Sequence, residues 1–228
     1  MNLSLCLIPK TVWSQAPVIG QEVATQLIPF GYQHIHFIAH SAGSNLIHNA
    51  TLQIKNQSTA PTIHETFLDA YDGWVESAES PFDGMQRSQT KYGEKADWAD
   101  NYVDTRTLLV EWADNTKLLL NKVYNVDVTP QTDNCEGESG NDGVVCRHGW
   151  PYRFYTGSIT GDFDTGGIMG FPLSLEAGET IQGLNDKYPL TARVRAIFQG
   201  SQFPGSYTLD KSGLAECSFS SGWVCGYV

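Results

Sequence analysis

The run His36-Phe37-Ile38-Ala39-His40-Ser41-Ala42-Gly43-Ser44 constrains the fold of this chain more than any other segment. An apolar, β-prone stretch over residues 35–39 leads into Ser41, and the amphipathic pattern of a helix begins at once afterwards. A strand can pass into a helix that quickly only through a sharp turn, which lifts the side chain at its apex above the sheet edge. Ala39 and Gly43 flank Ser41 two positions away on either side, where bulky side chains would collide with strand or helix. The segment therefore reads as a nucleophile elbow, with Ser41 in a strained backbone conformation. The backbone N–H of Ala42 would point to where an oxyanion develops. The commonest form of the motif has Gly at both flanks, so Ala39 is a mild departure.

The surrounding pattern alternates helix and strand. Residues 18–30 place Ile19, Val23 and Leu27 at helical spacing, with Pro29 near the end and Gly31 opening the turn into the strand that carries Ser41. From Ser44 onward, Leu46, Ile47, Ala50 and Ile54 form one stripe of a helix packed through a single face. Residues 64–68 read as the next strand. This order predicts an α/β fold with a mostly parallel sheet flanked by helices.

Later segments are less patterned. Residues 72–100 read as a long polar surface excursion, with a lid over a pocket as the functional alternative. Strands are expected around 107–110 and 123–128, a polar loop over 130–143, and irregular Gly-rich chain over 157–190. Gly166, Gly167 and Gly170 do not follow a strand in phosphate-loop form, so no nucleotide site is expected. Residues 191–198 alternate strictly, as a half-solvated strand does. The organisation expected is a core over residues 1–156 and a β-containing extension over 157–228.

A chain of 228 residues with a net charge of −11 would repel phosphates, which argues against a nucleic-acid partner. No apolar run approaches the length of a transmembrane segment. The opening residues lack a basic stretch followed by a long apolar one, so no intact signal peptide is visible. Cys135 and Cys146 bracket a polar loop, and Cys217 lies near Cys225, whereas Cys6 stands apart. Two such pairs suggest disulfides and an exported, extracellular protein; five free thiols in a cytosolic protein is the alternative. Asn2, Asn49 and Asn56 each begin a glycosylation triplet. There is no Cys-x-x-Cys and no His at ligand spacing, so neither a metal nor another cofactor is expected.

A serine hydroxyl needs a general base, and that base needs an orienting acid. Asp69 follows the strand after the Ser41 helix, and parallel strands end on a common side, so its carboxylate would project from the same sheet edge as Ser41. Among six histidines, His34 and His36 lie in or before the Ser41 strand, His40 adjoins Ser41 and points elsewhere, His48 is on the packed helix, and His64 begins a strand at the far end of the sheet. His148 alone sits in a late loop, where Gly149 would allow a tight turn. The roles that follow are Ser41 as nucleophile, Asp69 as acid and His148 as base. Asp72, Asp104 and Asp127 are rivals for the acid.

In this order the chain resembles the lipase branch of the α/β-hydrolases, particularly the pancreatic-lipase type. Leu68-Asp69-Ala70 is similar to that group's acid motif except for a missing proline. Val126-Asp127-Val128 and the aromatic residues after His148 (Tyr152, Phe154 and Tyr155) also look similar. The resemblance spans residues 17 to about 156. It implies a serine esterase or lipase acting on a small-molecule or lipid ester. It also implies earlier strands and a His-Gly loop with a second oxyanion donor; neither is found before Ser41, so the expected fold is N-terminally incomplete. A non-catalytic relative, or a peptidase or thioesterase on the same triad, is the alternative.

Overall fold

Apolar side chains at every second position of neighbouring segments need a common surface to bury, and in this chain that surface is a seven-stranded sheet. The computed structural model describes residues 9–71, 74–76, 85–87, 91–104, 116, 119–128, 140–160, 174–175, 178–187, 193–199, 206–211 and 214–218. In chain order the elements are α1 (Pro9–Leu27), a 3-10 turn (Ile28–Phe30), β1 (His34–His40), α2 (Gly43–Lys55), β2 (Thr62–Leu68), β3 (Trp74–Glu76), β4 (Met85–Arg87), β5 (Trp98–Val103) and β6 (Tyr124–Asp127). There follow α3 (Gly140–Thr160), α4 (Ile181–Lys187), β7 (Arg193–Gln199), β8 (Ser206–Lys211) and β9 (Leu214–Ser218). The sheet order is β1-β2-β5-β6-β7-β8-β9. Strands β1, β2, β5, β6 and β7 run parallel, and β8 and β9 return antiparallel. The chain thus has an α/β fold with a parallel sheet flanked by helices.

The parity of the strands decides which layer each side chain meets. Ile35, Phe37 and Ala39 of β1 share a face with Ile63 and Phe67 of β2 and Ala99 of β5, and that face packs on Ala24 of α1 and Ile47, Ala50 and Ile54 of α2. The other face carries Tyr102, whose ring is tilted against Phe154 and edge-on to Tyr155 of α3. Burying each large side chain here contributes roughly 1.5–3 kcal/mol. α1 can lie against α2 because of Gly20: a Cβ there would stand 2.4 Å from the Leu46 carbonyl oxygen.

Several expectations are corrected. The first helix starts at Pro9, not near residue 18, and continues through Pro17. Proline has no N–H to give the carbonyl four residues back. The buried side chain of Asn45 replaces it, donating from Nδ2 to the Trp13 oxygen at 2.9 Å. Residues 98–100, read as the end of a polar excursion, begin β5, a central strand that runs on to Val103. Its polar side chains are buried and only partly satisfied across strands: Asp100 Oδ1 accepts from Thr66 at 2.6 Å and lies 3.0 Å from the His64 ring, and Asn101 donates to Asn125 at 3.0 Å, whereas Asp100 Oδ2 and Asn101 Oδ1 have no hydrogen-bond partner among the described residues. The excursion also contains the small β3–β4 hairpin. The strand expected at 107–110 lies outside the described residues, as do Gly166, Gly167 and Gly170.

The segment read as a loop carrying His148 is helical, part of α3. Glycines at 140, 143, 149 and 157 and Pro151 make its intrinsic helix propensity poor. Tertiary packing overrides that: Trp150, Phe154 and Tyr155 are buried, and the Trp150 indole donates to the Val128 oxygen at 2.6 Å. The organisational boundary expected at residue 156 falls inside α3, and β7 from the later segment joins the same sheet. Part of residues 157–190, read as irregular, is helical: the end of α3 and the short α4.

Candidate active site

Ser41 and Asp69 each follow the last residue of adjacent parallel strands, paired His40 to Leu68. Both are non-glycine residues in the left-handed region, Ser41 at φ 55° and Asp69 at φ 49°. Such a conformation costs about 1–2 kcal/mol in an L-residue. The surrounding backbone holds it in place. The Ser41 N–H donates to the Leu68 oxygen at 3.0 Å, and the Ser41 oxygen accepts from Tyr71 at 3.2 Å. The Asp69 N–H donates to the Tyr102 oxygen at 2.7 Å, so each turn residue prolongs a ladder of the sheet before the chain reverses. Gly43 stands over Ala39, where a Cβ would sit 3.5 Å from that of Ala39.

His148, on α3, meets Asp69 directly. Its Nδ1 lies 2.6 Å from the Asp69 Oδ2. An ionised carboxylate only accepts, so Nδ1 carries the proton and Nε2 presents its lone pair on the opposite side of the ring. The Asp69 carboxyl is almost wholly buried. Burial pushes it up from the ordinary aspartate value to about 6, against the hydrogen bond and charge of His148 and the hydroxyl of Thr116, with Asp104 adding to the rise. The Asp104 N–H also faces Asp69 Oδ1, at 3.4 Å. Of the rival acids, Asp104 is thus a neighbour of Asp69, Asp127 ends β6, and Asp72 lies outside the described residues.

Ser41 enters this arrangement through its neighbour. No hydrogen bond joins the Ser41 hydroxyl to the His148 ring in this structure. Instead the His40 ring lies 4.4 Å from that of His148, centroid to centroid, and its Nε2 is 2.9 Å from the His148 carbonyl oxygen. His40 was expected to point elsewhere; it faces α3 because Ala39 faces α2. The sequence offered a signal for this in strand alternation, whereas Thr116 carried none. Ala42 is buried at the N-terminus of α2. The first-turn N–H groups of a helix have no acceptor within it, so the Ala42 N–H belongs to the donors such a turn offers.

The other histidines are placed elsewhere. His36 on the edge strand β1 and His64 on the adjacent β2 stack 3.9 Å apart, and His48 lies edge-on to Tyr92. After His148, Phe154 and Tyr155 are core, whereas Tyr152 is 52% exposed. Cys146 is disulfide-bonded, while Cys6, Cys135 and Cys225 lie outside the described residues. Asn49 has its amide engaged with Asn45, at 2.7 Å to the main-chain oxygen and 2.9 Å to Oδ1. Asn56 is exposed at the end of α2. Among the described residues no group of His, Cys, Asp and Glu is placed to hold a metal ion, and no helix is long and apolar enough to cross a membrane.

The structure thus brings together a buried carboxylate and the imidazole it orients, and it sets a serine on a strained turn after the neighbouring strand, at a helix N-terminus. No protein family, curated protein or solved structure matches this chain.

Proposed function

We propose that this chain is a serine hydrolase acting on carboxylic esters, built as an α/β-hydrolase of the lipase and esterase branch. The observation that carries the reading is the 2.6 Å contact between Asp69 and His148 beside a serine held at φ 55°. Ser41 Oγ attacks the ester carbonyl carbon while His148 Nε2 takes its proton, and Asp69 steadies the imidazolium. The negative charge on the former carbonyl oxygen meets the Ala42 N–H. The intermediate collapses, the C–O bond to the alcohol breaks, and His148 returns the proton to the leaving alkoxide. Water then releases the acid from Ser41 by the same proton path. Export of the protein belongs to the same proposal; the disulfide at Cys146 supports it.

The absent Ser41–His148 hydrogen bond favours one other reading, a non-catalytic relative that keeps the elbow as a structural turn. In enzymes without substrate, however, such bonds are often long and tighten on binding. One pair of measurements separates the two. The wild-type protein is expected to hydrolyse a short-chain activated ester and to be labelled by a fluorophosphonate, and Ser41→Ala to do neither. Equal rates in both proteins, or no labelling of the wild type, would leave Ser41 without a catalytic role.

A further inference from the structure

His40 lies beside Ser41 in sequence and against His148 in space, and the reaction steps above give it no part. Its ring faces α3, 4.4 Å from the His148 ring and 6.2 Å from that of Tyr152. The group 2.9 Å from its Nε2 is the main-chain carbonyl of His148. A carbonyl oxygen only accepts, so Nε2 carries the proton. We propose that His40 is a positioning residue: its Nε2–H clamps the main chain of α3 at His148 to the strand that ends in Ser41. This inference rests on the esterase reading above and extends it.

The need for a clamp follows from how α3 is held. Asp69 fixes one nitrogen of the His148 ring and so sets the orientation of that ring. It does not set the distance to Ser41, because Asp69 belongs to the turn after β2 and Ser41 to the turn after β1. α3 is anchored elsewhere through Trp150 to the end of β6 and through Phe154 and Tyr155 to Tyr102 of β5. These anchors lie towards the middle of the sheet, whereas Ser41 follows its edge strand. Pro151 also removes the N–H that would close the helix on Arg147, one residue before His148, so the helix is weakened at the turn that carries the base. The contact from His40 ties that turn to the elbow, and one peptide bond then passes the constraint to Ser41.

The neighbours of His40 favour the neutral donor that the clamp requires. Burial, and to a lesser degree the charge of His148, pull it down to about 4, partly offset by the bond to the His148 carbonyl. His148 can therefore take up the proton of Ser41 beside a ring that is itself uncharged.

Two substitutions test the proposal: His40→Gln, whose amide nitrogen can reach the same carbonyl, and His40→Phe, which keeps a ring and loses the donor. The clamp is read in two ways on the full chain, by ester hydrolysis and by the downfield proton resonance of the Asp69–His148 hydrogen bond. His40→Phe is expected to lower kcat by roughly 10- to 100-fold with KM nearly unchanged, the range a small misplacement of a reacting group produces. Its resonance is expected to broaden or vanish, while His40→Gln retains both rate and resonance. Retention of both in His40→Phe overturns the proposal. So does joint loss in the two variants, or a His40→Phe chain that fails to fold while His40→Gln folds without activity. If the wild type hydrolyses no ester but the resonance still separates the variants as described, the clamp stands and the esterase reading falls.

Discussion

Glu65 offers a test of the energetics of this sheet that is independent of catalysis. It lies in the middle of β2, fully buried, on the face that packs against α2. Burial pushes its carboxyl up from an ordinary 4.5 to about 7, with the Thr51 hydroxyl and the Gly93 backbone opposing the rise and Glu94 adding to it. The sign follows from proton counting. Between these two pH values the folded chain holds a proton that the unfolded chain has lost, so stability falls as pH rises. Below 4.5 both states hold the proton and the group makes no difference; above 7 the whole penalty applies. At 1.36 kcal/mol per pH unit, the gap corresponds to about 3 kcal/mol. Glu65→Gln keeps the shape and removes the titration. It should therefore be more stable than the wild type at pH 8 by about 3 kcal/mol relative to their difference at pH 4.5. For a chain of this size that is roughly 6–12 °C in melting temperature. Urea or thermal unfolding of both proteins at the two pH values measures it. A stability difference that does not change with pH would refute the reasoning, because any fixed cost of packing the amide cancels in the comparison.

Four further outcomes are expected. Asp69→Asn should leave the fold intact and lower kcat for an activated ester by roughly 10³–10⁴-fold, since the amide no longer holds His148 in the productive tautomer. In the wild type, kcat/KM should fall as pH drops through about 6, where Asp69 takes up a proton; a flat profile down to pH 5 would contradict the role. Ser41→Gly should be more stable than Ser41→Ala by about 1 kcal/mol, because only glycine relieves the left-handed backbone. A double-mutant cycle measures the Asn45 contact to Trp13. Asn45→Ala should cost about 1–3 kcal/mol in denaturant melts, and much less in a Pro17→Ala background, where the N–H of residue 17 returns to the Trp13 carbonyl.

The elements that could be read from the chain alone are those whose signal is local. The β1–Ser41–α2 turn follows from an apolar run, small flanking residues and a helical stripe within twenty positions. β2 and β6 follow from β-prone runs bounded by turn residues. β5 was missed because Trp98-Ala99-Asp100-Asn101-Tyr102-Val103 looks like surface until His64, Thr66 and Asn125 are seen beside it. The early part of α1 was missed because Pro17 argues against a helix, and the side chain that compensates is 28 residues away in sequence. The candidate site divides in the same way. The place of Asp69 after a strand was readable, whereas His148 was singled out by a late-loop setting that is helical in the structure. The helical setting of His148 and the contact from His40 were not readable.

By itself, then, the amino-acid order determined the alternation of helix and strand, the parallel arrangement that this alternation requires, and the sharp turn at Ser41. These depend on steric and periodic properties of a few successive residues. Folding in three dimensions decided that polar residues could fill a central strand, that a glycine- and proline-containing segment would be a helix, and that His40 would meet His148. Each of those depends on a partner remote along the chain, because a buried polar group or a weak helix becomes stable only when another segment supplies the missing hydrogen bond or the apolar contact.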